Sequence, residues 1–232
     1  MIYRSIHKGI FISRPNRFIA EVEINGKTEI CHVKNTGRCK ELLVPGSVVY
    51  ANKADNPNRS TKYDLVAVEK DKGNNVLLIN MDSYAPNIAF GEYLRQGKFL
   101  ELSNIGHIKA EAKYGASRFD FYAETDANKA FIEVKGVTLE ENGIAMFPDA
   151  PTERGIKHLN ELADCIAEGY NSYVVFIIQM TGISHFTPNY KTHAAFGEVL
   201  AKAIDKGVRA MAYDCDVTPD SMKINTPIPI KL

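Results

Sequence analysis

The sequence predicts a mixed α/β protein of the α+β type, built from a small β-barrel followed by a mixed sheet flanked by helices. Three observations predict this class. Short alternating runs separated by turn residues fill the first third of the chain. Beyond it, apolar residues recur at helical spacing between strand-like runs. The length of 232 residues suits one large or two small domains, and we place a barrel domain at 1–82 and a second domain at 83–232.

Five strands are predicted in the barrel domain, a number that fits an oligonucleotide-binding-type (OB-like) barrel. The strongest signal is the dipeptide Asn25-Gly26, which is typical of tight hairpin turns and lies between alternating runs at 18–24 and 27–33. The remaining strands are predicted at 48–51, 63–69 and 75–80.

The second domain is predicted to alternate helices and strands. A helix from Ile88 to Gln96 precedes three consecutive strands at 108–114, 118–124 and 130–137. Thr152 is a good N-cap for a second helix, whose apolar residues keep to one face as far as Glu168. An apolar run typical of a buried strand, a third helix and a last strand follow, at 172–180, 192–206 and 208–217.

The charge is unevenly distributed although its sum is zero. The first 85 residues hold 13 lysines and arginines against 9 aspartates and glutamates, a net charge of +4, so the remainder carries −4. A basic part suits contacts to phosphate and an acidic part suits a cation, although a difference of this size also arises by chance.

The sequence indicates a cytoplasmic protein without a membrane segment. No run approaches the roughly 20 apolar residues of a membrane helix, and the N-terminus lacks a signal-peptide pattern. The four cysteines are scattered without a C-x-x-C pair, so we expect free thiols rather than disulfides or zinc ligands. The oligomeric state stays open, with a homodimer as one option.

Three charged residues on two predicted strands carry the chemistry. Glu133 and Lys135 are two residues apart in a strand, so their side chains share a face, and a short turn brings Asp120 of the preceding strand beside them. Converging carboxylates suit Mg²⁺ or Mn²⁺, and a neighbouring ammonium orients water or stabilises charge on a phosphate. We predict Asp120 and Glu133 as metal ligands and Lys135 as their catalytic partner.

An aspartate followed about a dozen residues later by Glu-x-Lys resembles the PD-(D/E)xK nuclease superfamily. The bare string fits a solvent-facing strand with paired charges equally well. The nuclease interpretation gains support because the carboxylates fall on consecutive strands and a helix and an apolar strand follow them. The resemblance implies a restriction-endonuclease-like domain.

Longer motifs resemble the sugar fermentation stimulation protein A (SfsA) family. They are Asn35-Thr36-Gly37-Arg38 with Glu41-Leu42-Leu43 and Pro45-Gly46, Ser117-Arg118-Phe119-Asp120, Glu133-Val134-Lys135-Gly136-Val137-Thr138-Leu139, Phe147-Pro148-Asp149-Ala150-Pro151-Thr152-Glu153-Arg154-Gly155, and His158-Leu159 with Glu161-Leu162. This resemblance extends over essentially the whole chain. It implies an N-terminal OB-type barrel, a C-terminal nuclease-like domain, DNA binding and a regulatory link to sugar (maltose) metabolism.

The second helix adds catalytic candidates. Arg154 and His158 are four residues apart, hence on one helical face, where they would clamp a phosphate or donate a proton. The alternative is an ordinary solvated face. A third metal ligand would come from Glu92 or Glu111.

The barrel domain holds the predicted nucleic-acid contacts. Basic side chains on a small barrel can follow a phosphate backbone, and Tyr50 and Tyr63 would stack on bases or simply pack. Residues 35–37 also suit a tight turn with no binding role. The predicted contact residues are Arg14, Arg17, Lys34, Asn35, Arg38, Lys40, Arg59 and Lys62.

The leading hypothesis is a Mg²⁺- or Mn²⁺-dependent phosphodiesterase acting on nucleic acid, with DNA as the expected partner. The second hypothesis is a non-catalytic, non-specific DNA-binding regulator linked to sugar metabolism. The third is a sensor of a carbohydrate or another small ligand. Neither strandedness nor a preferred nucleotide sequence follows from the residues.

Overall fold

The structure, a computed structural model, describes residues 1–35, 37, 39–56, 58–73 and 75–232. The predictions for Thr36 and Arg38 therefore lie outside the described residues. In chain order the elements are β1 (Ile6–Asn16), β2 (Ile19–Ile24), β3 (Lys27–Val33), β4 (Val48–Lys53), β5 (Tyr63–Asp71), β6 (Val76–Asn80), α1 (Ala85–Arg95), β7 (Ile105–Tyr114), β8 (Ser117–Thr125), β9 (Lys129–Val137), β10 (Leu139–Glu141), β11 (Ile144–Phe147), α2 (Glu153–Ala167), β12 (Asn171–Ile178), β13 (His185–Pro188), α3 (Tyr190–Asp205), β14 (Arg209–Thr218) and β15 (Ser221–Pro227).

The N-terminal sheet has the order β3-β2-β1-β4-β5 and closes into a five-stranded barrel through parallel pairing of β3 with β5. The predicted barrel class is confirmed, but its strand inventory is wrong in one respect. β1 was not predicted, and β6, which was counted among the five, is an added strand on β5. β1 escapes the pattern because Ile10 and Ile12 face outward while Gly9 is buried against Val22.

The C-terminal sheet has the order β15-β14-β12-β9-β8-β7. Its centre, β9-β12-β14, is parallel, and antiparallel strands flank it. Apolar residues of α1 pack on one face together with Ile132 and Val134, whereas α2 and α3 pack on the other face with Phe131 and Phe176. The mixed sheet flanked by helices is the predicted class. None of the three described helices has the length and hydropathy that crossing a bilayer requires.

Four short strands are additions to the predicted pattern. β10, β11 and β13 form a small sheet of their own, and β15 completes the large sheet. The first three have three or four residues each, and β10 and β11 lie beside the turn residues Gly143 and Pro148. Runs this short carry too little periodicity to be distinguished from turns. All four cysteines are free and buried, as expected.

The barrel and the C-terminal sheet are held together by buried polar groups. Glu140 of β10 forms ion pairs with Lys70 at 2.7 Å and Lys72 at 2.6 Å, both from the β5 end of the barrel sheet. The first residues of the chain lie against β15, where the Tyr3 amide donates to the Asp220 carbonyl oxygen at 2.7 Å. The two parts therefore share an interface that fixes what lies between them.

Candidate active site

Asp120 lies at the point where the pairing between β8 and β9 ends. The ladder between these strands runs from Glu124↔Lys129 to Phe121↔Ile132, and Asp120 is the next residue. Its Oδ2 accepts a hydrogen bond from the Val134 amide at 2.7 Å, which replaces the backbone partner that the strand no longer supplies. Its Oδ1 accepts a bond from Asn87 Nδ2 at 2.6 Å. The structure thus brings Asp120 to β9, beside the Glu-x-Lys segment.

Glu133 and Lys135 share the face of β9 that is covered by α2. Lys135 Nζ donates to Glu133 Oε1 at 2.6 Å, and the Glu133 residue is only 4% exposed. The other oxygen, Oε2, is buried and accepts no hydrogen bond from any described residue. A buried carboxylate oxygen without a partner is costly, so this atom calls for a positively charged or proton-donating group.

The two carboxyl groups have opposite electrostatic environments. The pKa of Asp120 is raised to about 6 by burial and, second, by the nearby charge of Glu133, against the opposing effects of the Val134 amide, Lys135 and Asn87. Burial also disfavours ionisation of Glu133, but the hydrogen bond from His158 and the charge and hydrogen bond of Lys135 outweigh it and lower the pKa of Glu133. The pair therefore joins a firmly ionised carboxylate to one that is easily protonated.

His158 lies behind Glu133. It is buried, and its Nδ1 is 2.5 Å from Glu133 Oε1. Arg154 Nε donates to His158 Nε2 at 3.4 Å, so Nε2 is the acceptor and Nδ1 carries the proton shared with Glu133. The geometry makes His158 a positioning residue for the carboxylate, while the exposed Arg154 is the member of the pair that reaches outward.

α2 holds this arrangement through its N-terminus. Thr152 Oγ1 accepts a hydrogen bond from the Gly155 amide at 3.0 Å, which confirms the predicted N-cap. A side chain at Gly155 would collide with Thr152 itself, since a Cβ there would lie 2.9 Å from Thr152 Cγ2. The cap therefore fixes the turn from which Arg154 and His158 project.

The suggested third carboxylate ligands are wrong. Glu92 accepts a 2.7 Å bond from the N-terminal amine, and Glu111 is an exposed residue of β7 that pairs with Arg118 at 3.5 Å. Among the described residues, no group of three or more His, Cys, Asp or Glu side chains is arranged to hold a metal ion.

Asn87 and Gln179 are site residues that the sequence reasoning missed. Asn87 follows Pro86 in the first turn of α1 and carried no signal that it would reach Asp120. Gln179 did carry one, since it follows directly on the apolar run of β12 and is 2% exposed. A polar residue buried at the end of an apolar strand needs a partner or a function.

Several residues predicted to contact nucleic acid are engaged within the protein. Arg14 donates to the carbonyl oxygens of Arg17, Asn35 and Gly37 at 2.8–3.0 Å, which supports the loop after β3. Lys34 pairs with Asp82 at 3.1 Å. These side chains shape the barrel instead of presenting free charge.

The remaining described candidates include side chains that are engaged within the protein and side chains that are exposed. Arg59 contacts both oxygens of Asp64 at 2.7 and 3.0 Å, and Arg17 stacks over the Phe18 ring. Lys62 has an exposed side chain whose Nζ is 3.4 Å from Glu29, and Lys40 is exposed. Asn35 Oδ1 accepts a bond from the Gly37 amide, the turn geometry that was the alternative interpretation.

The two candidate stacking residues are packed. The Tyr50 hydroxyl donates to Glu69 at 2.6 Å, and Tyr63 is buried with its ring edge-on to His7.

The fold and the cluster define a class of two-domain protein that joins an OB-type barrel to a domain of the restriction-endonuclease type. Residues 12–79 match the family profile described as the SfsA N-terminal OB domain, and residues 84–221 match the sugar fermentation stimulation protein RE domain. The chain belongs to the sugar fermentation stimulation protein (SfsA) family, which confirms the family resemblance.

The relatives cover the whole chain. A sugar fermentation stimulation protein homologue from Desulfitobacterium hafniense (strain Y51) is 58% identical over 100% of this chain and 99% of its own length. One from Ruminiclostridium cellulolyticum is 54% identical over 100% of both. The solved structure of Pyrococcus furiosus SfsA in complex with Ca²⁺ is 28% identical, with a TM-score of 0.89 over 100% of this chain and 98% of that chain.

Proposed function

We propose that this protein is a divalent-cation-dependent phosphodiesterase that cleaves nucleic acid, with DNA as its substrate. The observation that carries the proposal is Glu133 Oε2, a buried carboxylate oxygen without a hydrogen-bond partner among the described residues. It belongs to the same cluster as Asp120, whose pKa is raised to about 6 by burial and by the charge of Glu133. A cation between the two carboxylates would relieve both penalties.

The donor set fits a hard divalent cation. Asp120 and Glu133 offer carboxylate oxygens, the ligands that Mg²⁺ and Mn²⁺ prefer. The lack of a third acidic ligand among the described residues agrees with Mg²⁺, which usually keeps several waters and takes only one or two carboxylates. The Pyrococcus furiosus relative was solved with Ca²⁺, another cation that takes oxygen ligands.

Each residue of the cluster then has a role. When bound, the cation supplies Lewis-acid activation and lowers the pKa of a coordinated water. Lys135, 2.6 Å from Glu133, places its ammonium where it orients the attacking water or neutralises charge developing on the phosphate. His158 holds Glu133 in position from behind, and the exposed Arg154 assists on the phosphate.

The barrel would hold the nucleic acid strand. Its OB-type fold and the excess of basic residues in the first 85 positions support this role. The alternative, a non-catalytic DNA-binding regulator, leaves the unpartnered oxygen of a buried Glu133 without a purpose, so the site favours the enzyme.

The test is an assay with fluorescently labelled single- and double-stranded oligonucleotides in Mg²⁺, in Mn²⁺ and in chelator. Wild type is compared with Glu133→Gln, which keeps the shape of the side chain, and binding of Mn²⁺ is measured separately by calorimetry. We expect metal-dependent cleavage that the substitution removes, together with weaker Mn²⁺ binding.

Glu111→Gln is the matched control, because Glu111 is an exposed glutamate on β7 outside the cluster. It should retain both cleavage and Mn²⁺ binding. Oligonucleotide binding without cleavage, equal in all three proteins and insensitive to metal, would overturn the enzyme and leave the DNA-binding regulator.

A further inference from the structure

A cavity of about 120 Å³ lies where the barrel meets the C-terminal domain. Its wall joins the loop after β3, the segment before α1 and the ends of β9 and β12. We name it the junction pocket, and the polar residues that line it are Asn35, Ser83, Thr138, Asp149 and Gln179. The pocket begins at Gly136, the residue after Lys135 in β9.

Gln179 presents a hydrogen-bond acceptor to this pocket. Its Nε2 donates to the backbone oxygens of Asn80 and Asp82 at 3.0 and 3.1 Å, and these two acceptors fix which end of the amide is nitrogen. The opposite atom, Oε1, lies next to Gly136, where an added Cβ would come within 2.7 Å of it. No described residue donates to Oε1, although Gln179 is 2% exposed. An acceptor that lines a cavity and receives no hydrogen bond from the described residues is open to a ligand that donates.

Asp149 adds a carboxylate on the barrel side of the same pocket. It lies against the loop after β3, since a Cβ at Gly37 would collide with Asp149 Oδ2 and would lie 2.9 Å from Asn35 Oδ1. The Oδ1 atom of Asn35 accepts from the Gly37 amide, which turns the Asn35 amide nitrogen to the other side as a donor. The pocket therefore combines a neutral acceptor, a carboxylate and an amide.

We propose that the junction pocket binds a nucleobase of the substrate through its exocyclic amino group, with Gln179 and Asp149 as acceptors. The inference rests on the proposed function, which it deepens by assigning a base preference. The pocket, at about 120 Å³, is smaller than a cavity of about 150 Å³ that holds benzene, so we assign it to the amino-bearing edge of a base and not to the whole ring. Carboxylates accept hydrogen bonds from the amino group of cytosine, whereas the carbonyl oxygen at the same position of thymine or uracil would face two acceptors.

The position of the pocket relates the base to the reaction. Gly136 faces α1, since an added Cβ there would lie 2.8 Å from Pro86, and Asn87, the residue after Pro86, donates to Asp120 of the carboxylate cluster at 2.6 Å. A base held there belongs to a nucleotide adjoining the scissile phosphate. The site would cut beside an amino-bearing base in an unpaired strand, because a paired base has its amino group already engaged.

The test uses a single-stranded thymine tract with one central cytosine and the same tract with deoxyuridine in its place, which exchanges the amino group for a carbonyl oxygen. Cleavage products are mapped in Mn²⁺, and binding is measured by competition anisotropy in chelator. We expect cleavage beside cytosine to exceed cleavage beside deoxyuridine by about 10- to 100-fold, in line with the discrimination of a good base contact.

Asp149→Asn should reduce this preference to less than about threefold, and Asp126→Asn, the same change at an exposed turn residue, should leave it intact. Cleavage without base preference, unchanged in Asp149→Asn, would overturn the pocket while the phosphodiesterase stands. Discrimination in binding alone, lost in Asp149→Asn, would support the pocket even if no cleavage occurs. A loss of Mn²⁺ binding in Asp149→Asn with no base effect would reassign the pocket to a cation and overturn the proposal.

Discussion

The carboxylate cluster and the basic surface of the barrel respond to folding in opposite ways. At the cluster, folding buries Glu133 and leaves one of its oxygens without a partner among the described residues. On the barrel, folding pairs Arg59 with Asp64 and Lys34 with Asp82, so charge that seemed free in the sequence is neutralised. For the barrel, a count of basic residues therefore overstates the charge that is free to bind phosphate.

Among the variants, Lys135→Ala should have the largest effect on cleavage and should separate the cluster from the barrel. The ammonium contacts Glu133 at 2.6 Å and carries no role in the barrel, so cleavage should fall about 100- to 1000-fold while oligonucleotide binding changes less than threefold. Single-turnover cleavage and anisotropy measure the two effects. Equal losses in both assays would mean that Lys135 serves binding, and the contrast between the two regions would fail.

The stability of the interface between the barrel and β10 should decrease in acid. Burial opposes the charge of Glu140, but hydrogen bonds from Lys70 and Lys72 lower its pKa to about 2 from an ordinary value of 4.5. Because the folded pKa is the lower one, the stabilisation is fully present above about pH 4.5 and is lost as the pH falls toward 2. Because the Lys70 and Lys72 side chains are partly exposed and water screens them, we expect a contribution of about 1–2 kcal/mol.

Urea unfolding at pH 6 and at successive values down to pH 2.5 measures this dependence. Glu140→Gln should be less stable than wild type at pH 6, and the difference should narrow toward pH 2.5. A constant difference across this range would show that the charge of Glu140 is not what joins the barrel to β10.

Arg14→Ala should lower the stability of the protein more than it lowers DNA affinity. The guanidinium donates to three carbonyl oxygens around the loop after β3, and their loss should cost about 2–3 kcal/mol of unfolding free energy. Urea unfolding and anisotropy, each performed on Arg14→Ala and Arg14→Lys, separate the two effects. A variant that keeps its stability but binds DNA much more weakly would show that Arg14 contacts nucleic acid, as the sequence predicts.

The sequence predicted the three helices and the central strands of the C-terminal domain, and the shared face of Glu133 and Lys135, because these signals are local. Alternation in β9 places Glu133 and Lys135 on one face, and Thr152 caps α2 as its chemistry requires. Asn87 and Gln179 were missed because their roles depend on the packing of α1 and on the barrel interface, which no local pattern encodes. β1 was missed because its isoleucines face outward.

The intramolecular partners of the basic barrel residues could not be predicted, for a related reason. The sequence alone does not show whether a lysine or arginine side chain contacts a phosphate or a carboxylate of a distant strand. Asp64 and Asp82, the partners of Lys34, are remote from it in sequence. Pairing across a barrel depends on register, which is set by the whole sheet.

Lys40→Gln gives the smallest expected effect and the sharpest test of what remains of the basic surface. Lys40 is exposed, so its loss should weaken DNA binding about two- to threefold and reduce the slope of log affinity against log salt by about one. The matched change Lys62→Gln removes a side chain whose Nζ is 3.4 Å from Glu29 and should alter the slope less. Titrations from 50 to 200 mM salt measure the slopes. Because an exposed charge acts on phosphate only when no carboxylate competes for it, equal slopes for both variants would mean that pairing within the barrel does not decide which lysines bind DNA.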